Sequence, residues 1–277
     1  MRDGRPSFTA AVVSAARGLA SVDPMAVELL PAPFGAALHV ATRASKRAPW
    51  LLTACNAATL GLVDHLELRT RAIDLALRTA GAEQVVILGA GLDARAWRMP
   101  ELAGTTVFEV DHPETQRYKR KRIEARAPRA KEVRFVAVDF ERERLGDALA
   151  AAGHRADAKT FWIWEGVTPY LFPDAIRATL GDVASRSTRE SRLAVTYGTP
   201  SGMKIGGGAV RVAQLSFRAM GEPLRGLMSP NAMEAELDAA GFDVVDDTSP
   251  RDWREGDAPS RKRLLLVDEH LAVAQKR

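Results

Sequence analysis

The sequence predicts an α/β fold: a doubly wound, mostly parallel seven-stranded sheet with a C-terminal antiparallel strand and a helical lid. Three observations predict it. From about Arg69 to Tyr197, short apolar runs alternate with stretches of helical spacing, as parallel strands covered by helices require. The first run, Val85-Val86-Ile87-Leu88, breaks at once into Gly89-Ala90-Gly91, a strand end that lets a ligand approach the backbone. After the fifth strand the alternation stops, and two late apolar runs read as a terminal antiparallel pair.

The elements follow in order. Thr70 to Ala80 is a helix stopped by Gly81, a C-terminal cap, and the first strand is Gln84 to Leu88. Pro100 closes the next short segment, and Thr105 to Val110 is the second strand. A charged helix from about Pro113 to Arg126 leads to the third strand, Val133 to Val138. Asp147 to Ala152 is a short helix ending at Gly153, before the fourth strand, Thr160 to Trp164. Pro173 suits the first turn of the following helix, where a missing N–H costs nothing. Arg192 to Tyr197 is the fifth strand. Ser229 to Gly241 carries an N-cap serine, a proline at the first position and a terminal glycine, and the late strands are Phe242 to Asp246 and Arg263 to Asp268.

Composition narrows the setting. The chain has 277 residues, a formal net charge of +4 and one cysteine, Cys55. A single cysteine forms no disulfide within the chain, so a reducing compartment, the cytoplasm, is expected. Basic residues cluster only from Arg117 to Arg129, a run that reads as a solvated helix face, and no nucleic-acid partner is expected. The apolar stretch Ala10 to Ala16 is interrupted by Ser14 and followed by Arg17; it is far short of the roughly 20 residues of a membrane span. It reads as an amphipathic surface helix rather than a signal peptide, and no membrane partner is expected.

In open α/β sheets ligands bind beyond the carboxyl ends of the strands. Those ends carry Gly89 and Gly91, then Glu109 and Asp111, then Asp139, then Glu165. Asp111 lies 111 − 89 = 22 residues past the first glycine, the spacing at which a carboxylate receives ribose hydroxyls. Gly89-x-Gly91-x-x-Ala94 also approximates a dinucleotide fingerprint, which leaves an NAD(P)-dependent oxidoreductase as the alternative. Asp111, Asp139 and Glu165 would repel a pyrophosphate and welcome a cation, which favours S-adenosylmethionine, a ligand with a sulfonium, an ammonium and no phosphate. No group of residues has metal-ligand spacing.

The motifs GAGLDAR (Gly89 to Arg95), FEVDHP (Phe108 to Pro113) with Lys119 or Lys121 downstream, VDF (Val138 to Phe140) and WEGVTPYL (Trp164 to Leu171) resemble the leucine carboxyl methyltransferase family. The likeness is to its bacterial branch of class I S-adenosylmethionine-dependent O-methyltransferases and runs from about Leu68 to Tyr197. It implies a Rossmann-like core at 63–198. Residues 1–62 and 199–228 match no family motif and, lying outside the alternation, are candidate lids over the carboxyl ends of the strands that would form the acceptor pocket, with 229–277 a terminal helix and strand pair. The resemblance also implies that Arg69, with Arg71 competing, meets the cofactor's carboxylate, that Gly89 and Gly91 lie along the cofactor, and that Asp111 holds the ribose. Asp139 and Phe140 would flank the adenine, Glu165 would lie near the amino group, and Tyr170 would line the methyl-transfer site as the catalytic residue. Where the family has GLDTR, this chain has Ala94, losing one hydroxyl.

Other residues read as structural. His112 belongs to the turn before Pro113, Trp162 and Trp164 to the core, and Arg117 to Arg122 to the surface. Asp93 and Arg95 pair with each other, cap the next helix or meet the cofactor. No histidine occupies a position that marks it as a base; His39 and His154 are the candidates. That absence favours an already acidic acceptor, a carboxylate or an acidic hydroxyl on a small or carrier-bound metabolite. The resemblance to the bacterial branch implies secondary metabolism as the setting.

Overall fold

The computed structural model describes residues 8–59, 61–138, 143–200, 224–255 and 268–277. Its sheet has seven strands: β1 (Gln84–Leu88), β2 (Thr106–Asp111), β3 (Glu132–Ala137), β4 (Thr160–Trp164), β5 (Arg192–Gly198), β6 (Phe242–Thr248) and β7 (Glu269–Lys276). They lie in the order β3-β2-β1-β4-β5-β7-β6. The first five strands are mutually parallel, with Leu88 opposite Val110 on one side and Trp164 on the other. Order reverses between β1 and β4, which opens a crevice at their carboxyl ends.

Alternation along each strand divides the core in two. Val85, Ile87, Val107, Phe161 and Ile163 pack on one face; Val86, Leu88, Phe108, Trp162 and Trp164 pack on the other. Both tryptophans are core, at 0% and 1% exposure. Helices α6 (Arg95–Arg98), α7 (Pro113–Ile123), α8 (Leu145–Ala151) and α9 (Pro173–Ser185) complete the crossovers, and a 3₁₀ turn, Thr168–Tyr170, follows β4. Helix α10 (Pro230–Ala239) is capped by the Ser229 hydroxyl, which accepts from Ala232 N at 3.3 Å.

Two sequence expectations are corrected. The last strand is β7 at 269–276, pairing antiparallel with β5 and β6, rather than Arg263 to Asp268, of which 263–267 lie outside the described residues. Leu271, Ala272, Val273 and Ala274 are all buried, because Leu271 and Val273 pack into the core on one face of the sheet and Ala272 and Ala274 into the core on the other; the greasier Leu264-Leu265-Leu266 run masked that shorter signal. The helix expected from Thr70 begins earlier, as α5 (Leu62–Ala80), and ends on Gly81 in the left-handed region at φ 57°. Its first half buries Asp64, His65, Glu67 and Arg69, polar residues that break the apolar period; His65 and Arg69 find their partner Glu269 some 200 residues away.

The amino-terminal region is helical: α1 (Phe8–Leu19), α2 (Ala26–Leu29), α3 (Ala32–Arg47) and α4 (Pro49–Ala58). Helix α1 packs against α5, α3 and α2 and lies over the carboxyl end of the sheet. A short α11 (Asp252–Glu255) sets Trp253 beside His65, their rings 5.8 Å apart. Among the described residues no helix is long and apolar enough to cross a membrane.

Candidate active site

The turn after β1 is built on two left-handed glycines, Gly89 at φ 65° and Gly91 at φ 50°. A Cβ at Gly89 would collide with Val167 Cγ2, and one at Gly91 would lie 3.3 Å from Ala10 Cβ. The glycines therefore allow the loop after β4 and helix α1 to close on the turn. Between these parts lies a cavity of about 270 Å³. Ala10, Val13, Ser14 and Arg17 of α1 line one side; Gly89, Gly91, Asp111, Glu165 and Tyr170 line the others.

Asp111, at the end of β2, accepts the Gly91 N–H through one oxygen and the His112 N–H through the other at 2.6 Å. Burial raises its pKa, partly countered by these two amides. The Thr115 hydroxyl also bonds to Asp111, so three of the roughly four lone-pair sites of an ionised carboxylate are taken and about one remains for a ligand hydroxyl. His112 is structural, as read: its Nδ1 accepts Glu114 N at 3.3 Å and caps α7.

Glu165 sits among three guanidiniums. Its Oε1 accepts from Arg17 Nη2 and from Arg69 Nε, the latter at 2.9 Å, and its Oε2 accepts from Arg95 Nη1 at 2.9 Å. Burial alone would raise its pKa; Arg17, Arg95 and Arg69 outweigh burial and hold it well below the usual range. Asp93 does both local jobs the sequence allowed: Oδ1 accepts the Arg95 N–H at 2.7 Å, and Oδ2 pairs with the Arg95 side chain. Arg95 and Arg98 also share Asp74, at 2.6 to 2.8 Å.

The picture of a crevice lined by unopposed carboxylates is thereby corrected. Asp93, Asp111 and Glu165 line the cavity, but so do Arg17 and Arg69, leaving an excess of one negative charge among the described lining residues. The N-terminal helix, which the sequence left without a motif, supplies the missing cation.

Arg69 lines the cavity; Arg71 is half-exposed and pairs with Glu67 one turn earlier, at 2.8 Å. Asp139 and Phe140 lie outside the described residues. Tyr170 lines the cavity wall beside Val167. His39 is exposed on α3 and does not line the cavity. His154 is buried, its Nδ1 accepting from Arg186 Nε and its Nε2 meeting Thr160 Oγ1, both at 3.2 Å; burial first, then Arg186 and Arg155, lower its pKa to about 4. The basic run is not all surface: Lys119 is 1% exposed and pairs with Glu109 at 2.6 Å. Arg122 bonds Leu30 O at 2.9 Å, tying α7 to the amino-terminal helices.

The residues that sequence reasoning missed are Arg17 and Ser14 of α1 and Glu269 of β7. Arg17 was visible only as a charge interrupting an apolar helix face. Ser14 lines the cavity and keeps a buried hydroxyl with no hydrogen-bond partner among the described residues. Such an orphan marks a place where a ligand group completes the bonding. Among the described residues no cluster of three or more His, Cys, Asp or Glu could hold a metal ion.

Comparison with known proteins agrees with this geometry. Residues 8–184 match the profile of the leucine carboxyl methyltransferase family. A protein of Mycobacterium sp. (strain JLS), assigned by its name to the S-adenosyl-L-methionine-dependent methyltransferases, is 35% identical over 264 residues, 93% of this chain and 85% of its own. A Streptomyces coelicolor protein similarly named is 41% identical over 144 residues, half of each chain. A solved Thermobifida fusca YX structure, described as that of a methyltransferase, shares the fold at a TM-score of 0.62 and 16% identity, covering 99% of this chain and 96% of its own. These matches leave the oxidoreductase reading without support. The chain belongs to the leucine carboxyl methyltransferase family.

Proposed function

We propose that this S-adenosylmethionine-dependent methyltransferase methylates an oxygen, that of a carboxylate or an acidic hydroxyl on a small or carrier-bound metabolite. The donor fits the residues present. Arg69 offers a guanidinium for its carboxylate, Asp111 offers its remaining acceptor site for a ribose hydroxyl, and Ser14 offers a hydroxyl that has no partner among the described residues. When bound, the donor supplies an electrophilic methyl group on a positively charged sulfur.

The protein's own contribution is placement and the exclusion of water. Gly89 and Gly91 bring the β1 turn close to the ligand, and α1 roofs the cavity through Arg17. Holding the reactants in line contributes up to roughly 7–11 kcal/mol. Tyr170, on the cavity wall, is the residue we place against the acceptor.

One observation carries the choice of acceptor. No histidine, lysine or cysteine lines the cavity among the described residues, and Glu165 is held deprotonated by three arginines, which makes it a weak base. An acceptor that is already an anion needs no base, whereas a neutral alcohol does. A place in secondary metabolism accords with this acceptor chemistry, and the single Cys55 favours a reducing cytoplasm.

The test is transfer of labelled methyl from S-adenosylmethionine to matched acceptors: a carboxylic acid, a phenol, an aliphatic alcohol and a primary amine. Base-labile methyl ester or aryl ether is the expected product. Transfer to the amine or the alcohol alone would overturn the assignment.

A further inference from the structure

The N–H groups of Arg69 divide among three directions. Nε donates to Glu165 Oε1 at 2.9 Å, and Nη1 donates to both oxygens of Glu269 at 3.0 and 2.7 Å. Nη2 makes no hydrogen bond among the described residues. It lies beside Gly166, 3.5 Å from where a Cβ on that glycine would stand, and both residues line the cavity. Two carboxylates thus clamp the guanidinium, and the edge they leave free lies against Gly166, a residue of the cavity lining.

Glu269 is the first residue of β7, opposite Gly198 of β5, and is 6% exposed. Its Oε2 also meets His65 Nε2 at 2.6 Å. His65 precedes Arg69 by four residues on α5, so both side chains project from one helix face toward the same carboxylate. The His65 ring is 1% exposed, leans on Trp253, and has no partner for Nδ1 among the described residues. Its one described hydrogen bond is the one to Glu269. Burial would raise the Glu269 pKa, but Arg69 and His65 bring it down to about 2, so the clamp stays ionised at neutral pH.

We propose that Glu269, backed by His65, is a positioning residue that aims the free edge of Arg69 at the carboxylate of the methyl donor. The inference rests on the donor reading of the cavity. It gives the C-terminal strand, remote from the glycine turn in sequence, a direct part in donor binding. A long arginine side chain loses considerable rotamer entropy when it binds; a clamp that has already fixed it spares the ligand that cost.

The test compares two ligands by calorimetry: S-adenosylhomocysteine, which carries the amino-acid carboxylate, and 5′-methylthioadenosine, which lacks it. Glu269→Ala is expected to weaken S-adenosylhomocysteine about tenfold and to leave 5′-methylthioadenosine unchanged, and Glu269→Gln, which keeps an acceptor oxygen, to restore most of the loss. His65→Ala, which leaves the Arg69–Glu269 pair intact, is expected to produce a smaller loss of the same selective kind and serves if Glu269→Ala does not fold. Equal losses for both ligands, or no loss for either, would overturn the positioning role. Failure of the wild-type protein to bind either ligand would overturn the donor reading itself.

Discussion

Arg17 of α1 donates to Glu165 at the end of β4, joining residues 148 positions apart and fastening the amino-terminal helix over the glycine turn. The same guanidinium donates through Nε to Thr70 Oγ1 at 3.1 Å. A buried hydrogen bond to a charged group contributes roughly 1.5–3 kcal/mol. Arg17→Ala is therefore expected to speed amide hydrogen exchange in α1 about tenfold or more and to weaken S-adenosylhomocysteine binding. Unchanged exchange would show that apolar packing alone holds the helix.

Gly89 answers two separate demands. Its φ of 65° costs an L residue roughly 1–2 kcal/mol, and a Cβ there collides with Val167. Gly89→Ala is expected to lower the urea midpoint and to reduce donor affinity at least tenfold. Adding Val167→Ala relieves the collision but not the dihedral cost, so recovery should be partial. Full recovery would mean that the backbone conformation carries no cost.

Lys119 and Glu109 form an ion pair beneath the β1 turn, each side chain 1% exposed, and Lys119 Nζ also donates to Asp93 O. Burial pushes the Glu109 pKa up to about 7 despite Lys119. Lys119→Met leaves that carboxyl buried without its cation and is expected to cost roughly 3–5 kcal/mol in urea denaturation. Lys119→Met with Glu109→Leu should regain much of it, because paired removal leaves no uncompensated charge. A neutral single substitution would show that the buried pair contributes no net stability.

Acid stability should report on His154. Its folded pKa of about 4 lies below the unfolded value of 6.5, so the folded state binds the proton less readily than the unfolded chain. The stability it contributes is present above about pH 6.5 and is lost as pH falls toward 4, by up to roughly 3 kcal/mol. Urea midpoints of the wild type and His154→Gln should converge over that window. Parallel pH profiles would show that His154 does not titrate there.

The parallel sheet was legible because each strand is a compact apolar run bounded by glycine or proline, and Gly89, Gly91, Asp111 and Glu165 because they stand at strand ends. Arg69 and Tyr170 came from resemblance to family motifs rather than from spacing. The charge balance of the crevice was not legible. Arg17 reaches Glu165 across 148 residues, and Glu269 reaches Arg69 across 200; neither separation leaves a local pattern. The same long-range pairing hid the start of α5, whose buried polar residues imitate a solvated surface. Strand β7 was misplaced because hydrophobicity rather than pairing decided the reading.

The most direct test of the donor site is a calorimetric titration of S-adenosylhomocysteine into wild-type protein and Asp111→Ala, with NADH as control ligand. The account predicts binding to the wild type, a loss of roughly 1.5–3 kcal/mol in the variant and no binding of NADH. Equal affinity in wild type and variant, or binding of NADH in place of S-adenosylhomocysteine, would contradict it.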